Sequence, residues 1–160
     1  MKNHLIIPLL VSSLLLAGCG PKDQAATTTA SASAVATFEF TANDTMKFNL
    51  TRIEVKAGQE VKIILTNTGS MPKAAMAHNW VLLKKGTDGK AFTDAAVTAL
   101  ATDYLPPALA DQVIVHTKMI GAKQSDEITF KAPTEPGEYP FVCTFPAHYL
   151  SGMHGVMVVK

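Results

Sequence analysis

From Thr37 onward, hydrophobic residues fall at alternate positions in short runs. Phe38 and Phe40 alternate with polar neighbours, Met46, Phe48 and Leu50 repeat the pattern, and Ile53 and Val55 follow. Alternation of this kind predicts strands buried on one face. Val61–Leu65 is a β-branched run bounded by Ala57-Gly58 and by Asn67-Thr68-Gly69, and Asn79–Leu83 ends at the turn-like stretch Lys84–Lys90. Ile128 with Phe130, Tyr139–Cys143 and Gly155–Val159 complete the series. Short strands separated by turn signals predict an all-β, antiparallel sandwich of seven or eight strands. Glu135-Pro136-Gly137-Glu138-Tyr139 reads as the corner entering a penultimate strand, its tyrosine hydroxyl placed to bond back to nearby backbone. Pro140 cannot donate to a sheet ladder, so it must face an edge or an irregular stretch. Ala91–Asp103 breaks the pattern: Phe92, Ala96, Ala99 and Leu100 recur at helical spacing before Pro106-Pro107, which predicts one short inserted helix.

The N-terminal part follows neither period. Lys2 precedes an apolar run, Leu5–Ala17, that is too short to span a hydrocarbon layer of roughly 30 Å as a helix. It ends in small residues and reads as an export signal covering residues 1–18. Leu16-Ala17-Gly18-Cys19 resembles the bacterial lipobox, which implies that Cys19 becomes the acylated first residue of the mature chain. Several acyl chains on one residue anchor stably where a single chain holds marginally. Residues 19–36 are then the lipidated cysteine and an Ala/Thr/Ser tether, reaching on the order of 20 Å. The folded head is expected over 37–160, on the periplasmic face of a bacterial membrane or at the cell surface.

Charge narrows the field. The chain carries 14 Lys+Arg against 13 Asp+Glu, and loss of Lys2 with the signal leaves 13 against 13. A neutral head lacks the basic surplus of a nucleic-acid binder. With 48% apolar residues it is not a disordered solubiliser, and 160 residues leave no room for a large two-domain enzyme. Two cysteines allow at most one disulfide.

The candidate chemistry lies near the C-terminus. Tyr139–Val159 contains no Asp, Glu, Lys or Arg, yet holds Cys143, His148, Met153 and His154. Thiolate, imidazole and thioether form the ligand set of a soft or borderline metal, for which copper is the best match. A second imidazole, His78, begins a different strand, and the ends of sandwich strands gather at one pole. Two other readings use the same residues. Cys143 could be a nucleophile with His148 as its base, but no third orienting acid lies nearby in sequence. Zinc could take Cys143, His78, His148 and His154, but His154 opens the final strand and points away from the Met153 side.

The head resembles the blue copper proteins, the cupredoxins, and within them azurin. The likeness rests on Asn43-Asp44-Thr45-Met46-Lys47-Phe48-Asn49, Met76-Ala77-His78-Asn79-Trp80-Val81-Leu82, His116-Thr117-Lys118-Met119-Ile120-Gly121 and Cys143-Thr144-Phe145-Pro146. It implies a Greek-key sandwich with one type 1 copper held trigonally by His78, Cys143 and His148, and Met153 as a distant axial ligand. It also implies that Asn79 braces the ligand loop from behind and that His116 is a surface residue. Four departures stand out. Four residues, Tyr149–Gly152, separate His148 from Met153 where azurin has three, a spacing similar to auracyanin. Ala77 replaces the glycine whose carbonyl oxygen faces the metal in azurin; the oxygen survives the change, and four- and five-coordination both stay open. Azurin's disulfide cannot form, because Cys19 and Cys143 are both committed. Asn67 stands where azurin has a titrating histidine.

The resemblance implies a one-electron carrier, not an enzyme: a membrane-tethered shuttle with a monomeric head. Its redox protein partners would dock on apolar residues around an exposed edge of His148: Met71, Pro72, Met76, Phe145, Pro146, Ala147, Tyr149 and Leu150. A copper-delivery module would favour clustered methionines, which this chain lacks. A copper-dependent reductase would need a second metal site, for which only His116 and His154 remain.

Overall fold

The computed structural model describes residues 34–160; the signal segment 1–18, Cys19 and the tether up to residue 33 lie outside the described residues. Eight strands follow in order: β1 (Ala36–Ala42), β2 (Arg52–Val55), β3 (Glu60–Asn67), β4 (Val81–Leu83), β5 (Val113–His116), β6 (Ser125–Lys131), β7 (Gly137–Val142) and β8 (His154–Val159). They form a three-stranded sheet, β1-β3-β6, and a five-stranded sheet, β2-β8-β7-β4-β5. The expected all-β sandwich is present. Two of its pairings, β1 with β3 and β2 with β8, are parallel, so the sheets are mixed and not purely antiparallel.

Alternation builds the interior. Along β3, Val61, Ile63, Leu65 and Asn67 are buried while Glu60 is exposed and Lys62, Ile64 and Thr66 are half-buried. Phe40 from β1 meets Phe141 from β7 edge-on at 5.3 Å, and Trp80 stacks on Phe141 at the same distance. Val81, Leu83 and Val142 face the other way, yet they are buried too, because Phe92 of the inserted helix covers them together with Leu105, Leu109 and Tyr149. The insertion thus covers the outer face where β4 meets β7, and β4 is buried at all three positions.

Three expectations change. Met46–Leu50 is not a strand. Met46 adopts a left-handed φ of 56°, and Asn49 serves β1 through its side chain, accepting from Thr41 N–H at 2.7 Å and donating to the Glu39 carbonyl at 3.1 Å. The apolar spacing there reflects Phe48, which plugs the core against Phe40 at 5.6 Å. The eighth strand is instead β5, which ends at His116. The inserted helix, α1, spans Gly89–Ala96, capped by Asp88 accepting from Lys90 and Ala91 N–H. It stops at the β-branched pair Val97-Thr98; the chain continues as short 3-10 turns at Leu100–Thr102 and Pro107–Gln112, and Leu100 is left 68% exposed.

The predicted corner forms: Tyr139 donates its hydroxyl hydrogen to the Glu135 carbonyl at 2.8 Å. Pro140 lies in β7 between two partners, but the β4 ladder ends at the Leu82–Phe141 pair, one residue short of it. Gly155 marks the tightest approach in β8. A Cβ there would collide with the Thr51 carbonyl oxygen and the Phe141 ring. Gly155→Ala is therefore expected to cost on the order of 2 kcal/mol of stability, as overpacked sites do. The urea midpoint, followed by Trp80 fluorescence, measures it.

Candidate metal centre

His78 sits just before β4 in a run, Met76–Trp80, that is buried throughout. Its backbone exchanges two hydrogen bonds with Ile120, at 3.0 and 2.8 Å. Trp80 N–H donates to Thr117 Oγ1 at 2.9 Å, and Thr117 N–H returns a bond to the Trp80 carbonyl at 3.0 Å. Position 78 is thus fixed from the segment that follows β5.

Cys143 follows the last residue of β7, and the loop it opens closes on itself. Met153 N–H donates to the His148 carbonyl and Cys143 N–H to the Met153 carbonyl, both at 3.0 Å. His148 N–H bonds the Phe145 carbonyl at 3.2 Å, and Gly152 N–H bonds the Tyr149 carbonyl at 2.8 Å. Asn79 ties this loop to the strand opposite: its amide donates to Thr144 Oγ1 at 2.8 Å, and its Oδ1 accepts from Thr144 N–H at 2.9 Å.

These constraints bring His78, Cys143 and His148 together, with candidate ligand atoms all within 4.8 Å of one another. Cys143 Sγ lies 3.5 Å from His148 Nδ1, and the two imidazoles are 4.9 Å apart between centroids. His78 and Cys143 are fully buried, and His148 is 1% exposed. The edge of His148 is therefore covered, against the expectation of an exposed one: Phe145 packs on the ring at 4.8 Å. Met76 also belongs to the interior.

The electrostatics fit a cation. Burial holds both imidazoles at about 4, from an ordinary 6.5; the His78 charge adds to the effect on His148, whereas Asp44 partly offsets it at His78. Burial pushes the Cys143 thiol up to about 12, against the opposing pull of the Asn79 and Phe145 N–H groups. Without a metal the cluster is neutral. Among the described residues neither ring nitrogen of His78 meets hydrogen-bond geometry with a partner, although a neutral imidazole offers both a donor and a lone pair. A dry pair of imidazoles and a thiol, with one ring left unpartnered, fits a soft or borderline metal ion.

Met153 is fully buried at the loop's end, and Ala77 is buried beside His78. His116 is exposed, its Nδ1 2.9 Å from the Thr117 carbonyl. His154 is exposed and stacks on Tyr149. Neither joins the cluster. Asp44, whose charge acts on His78, is occupied by Ser70 N–H and Oγ at 2.8 and 2.9 Å, which hold its carboxyl below the usual range. Two contributors were not visible in the sequence. Thr117 is an ordinary polar residue there, and nothing in an alanine announces that Ala147, just before His148, has φ of 69°.

Residues 34–160 match the family described as copper binding proteins, plastocyanin/azurin family. Azurin of Pseudomonas chlororaphis is 39% identical over 120 residues, spanning 73% of this chain and 92% of that protein. Outer membrane protein H.8 of Neisseria gonorrhoeae is 44% identical over 108 residues, 66% of this chain and 58% of that protein. Reduced auracyanin of Roseiflexus castenholzii superposes with a TM-score of 0.69 at 35% identity, covering 78% of this chain and 97% of that one.

Two outcomes follow from this geometry. An alanine at positive φ costs roughly 1 kcal/mol relative to glycine, so Ala147→Gly is expected to raise the urea midpoint of the metal-free protein. The metal-free protein is also expected to lose stability as pH falls from about 6.5 to about 4, because the unfolded chain takes up protons that buried His78 and His148 refuse. Urea midpoints measured across that window should fall for the natural chain and flatten for a His78→Asn, His148→Asn double variant.

Proposed function

The chain belongs to the plastocyanin/azurin family of copper-binding proteins, and from that premise we propose that it is a membrane-tethered electron carrier whose copper is held by His78, Cys143 and His148, with Met153 completing the set. One observation carries the reading: the imidazole of His78 converges with the thiol and imidazole of the distant Cys143–His148 loop within 4.8 Å in a buried interior. Bound copper supplies a one-electron couple, Cu(II)/Cu(I).

The residues prepare the site for that couple. His78 comes from a run fixed by Ile120 and Thr117, and the other three come from a loop closed by its own hydrogen bonds, so the donors stay in place as charge changes. Loading the site takes the proton from Cys143 Sγ, because the ligand form is the thiolate. The Asn79 and Phe145 N–H groups that face this sulfur stabilise its negative charge. Asn79, bonded twice to Thr144, keeps that geometry from relaxing. The surrounding apolar side chains exclude water and competing carboxylates.

An electron carrier also needs a surface where partners approach. Of the residues expected to form such a surface, Met71 is 40% and Leu150 70% exposed, and Pro72 and Ala147 are exposed as well. This apolar area gives a redox protein a close approach without burying unpaired charge. Attachment to a membrane rests on the Leu16-Ala17-Gly18-Cys19 motif and gains support from the relative named as an outer membrane protein. Cys19 is the residue that would carry the acyl anchor; among the described residues no helix is long and apolar enough to cross a membrane.

Titration of the metal-free protein with Cu(II) tests the centre. An intense blue absorption, narrow hyperfine splitting in the electron paramagnetic resonance spectrum, and loss of both in Cys143→Ser are expected. A colourless protein, or a weak copper spectrum that survives Cys143→Ser, refutes the ligand assignment. Cys19→Ala is expected to move the protein from the membrane fraction to the soluble one. Leu150→Glu is expected to slow electron self-exchange by about tenfold or more through like-charge repulsion at the contact, measured by NMR line broadening in mixtures of the two oxidation states.

A further inference from the structure

Tyr149 is not a metal-holding residue, yet three parts of the structure meet on its ring. It opens the stretch Tyr149–Gly152 that separates His148 from Met153. Its ring stacks on the His154 imidazole, 4.4 Å between centroids and 24° between planes. It also leans on Gly89, the first residue of α1. A Cβ at Gly89 would stand 3.1 Å from Tyr149 Cε2, 3.4 Å from its hydroxyl oxygen and 3.2 Å from Val142 Cγ1. The absence of a side chain at Gly89 is what lets the ring seat there. Tyr149 joins Val142, Phe92 and Leu83 in the apolar layer between the helix and the five-stranded sheet.

The loop is tied from outside at its Cys143 end, by Asn79 on Thr144, and the stretch beyond His148 has its own supports. Its backbone hydrogen bonds, Ser151 to Ala147, Gly152 to Tyr149 and Met153 to His148, fix the turn relative to itself. Two of its residues, Ala147 and Gly152, have φ of 69° and 91°, so it is not a regular element that packing would orient. From the segment before β2, Lys47 donates to the Ser151 carbonyl. The hold on the α1 side comes from the Tyr149 ring.

We propose that Tyr149 is a positioning residue: its ring, seated between Gly89 and His154, sets the placement of the His148–Met153 stretch and thereby of the His148 imidazole relative to Cys143. The inserted helix is in this way coupled to the metal centre, although it contributes no ligand. The proposal rests on the copper reading above for its consequence, and on the metal-free geometry for its existence.

The test uses the full chain with Tyr149→Ala, Tyr149→Phe and Gly89→Ala, each read in two ways. In the metal-free protein, hydrogen exchange at the His148 and Ser151 amides should quicken by roughly tenfold in Tyr149→Ala and stay near natural in Tyr149→Phe, since a local support is lost and then restored. In the copper-loaded protein, Tyr149→Ala should change the hyperfine splitting and the reduction potential, Tyr149→Phe should restore both, and Gly89→Ala should shift both by displacing the ring without removing it. If Tyr149→Ala does not fold, Gly89→Ala against Tyr149→Phe gives the same comparison. Natural exchange rates, potential and spectrum in Tyr149→Ala and Gly89→Ala, even with lower global stability, would overturn the proposal. A natural chain that binds no copper would defeat the copper reading instead, and the exchange measurement would still decide whether Tyr149 holds the loop.

Discussion

The two hydrogen bonds between Asn79 and Thr144 are the contact on which the centre depends. Asn79 lies beside His78 ahead of β4, Thr144 beside Cys143 beyond β7, and both are buried. The β4–β7 register, with Val81 opposite Val142, brings the two strand ends level, but a ladder of two residue pairs is a weak guarantee of alignment. The amide adds a bond that works in one relative position only, since donor and acceptor must both be met. In an interior without water, a missed bond leaves polar groups stranded, at about 1–3 kcal/mol each. That penalty makes the alignment of His78 with Cys143 nearly all-or-none.

Around this tie the protein works against ordinary solvation. Two imidazoles and a thiol are kept where their charged forms are disfavoured, and among the described residues the His78 ring nitrogens meet no hydrogen-bond geometry. Such a cluster is expensive as mere packing. It becomes sensible as a frame built in advance for a cation, with the outlay met by the aromatic core of Phe40, Trp80 and Phe141 and by the helical cover over β4 and β7. Membership in a copper-binding family gives the frame its occupant.

Much of this was legible in the sequence where a residue's fate is decided by its neighbours along the chain. Alternation marked β1 and β2, a β-branched run between turn signals marked β3, and the corner at Tyr139 followed from Glu135-Pro136-Gly137. The run of uncharged residues from Tyr139 to Val159 exposed its sulfur and imidazole donors because nothing else there competes for a metal. What the sequence concealed was decided by distant contacts. Phe48 alternates like a strand residue, but it enters the core from an irregular segment whose hydrogen bonds run through the Asn49 side chain. Leu100 has helical spacing, but the helix ends before it. The covering of His148 depends on how Phe145 turns back across the loop, and the left-handed conformation of Ala147 on how the loop closes; neither is a property of residue type.

The ligand loop also bears on how the molecule is assembled. Cys143, His148 and Met153 are close in sequence, so a thiol, an imidazole and a thioether remain near one another even in the unfolded chain. Only His78 must be brought from afar, by long-range pairing that is slow to form because chain entropy is lost before contacts reward it. An unfolded chain of this composition therefore retains affinity for soft metal ions, and that affinity subtracts from the stabilisation the metal confers on the folded state. What folding adds is the second imidazole and the removal of water. A copper ion captured before folding would meet a partial site first and a finished one only after the sandwich had closed around it.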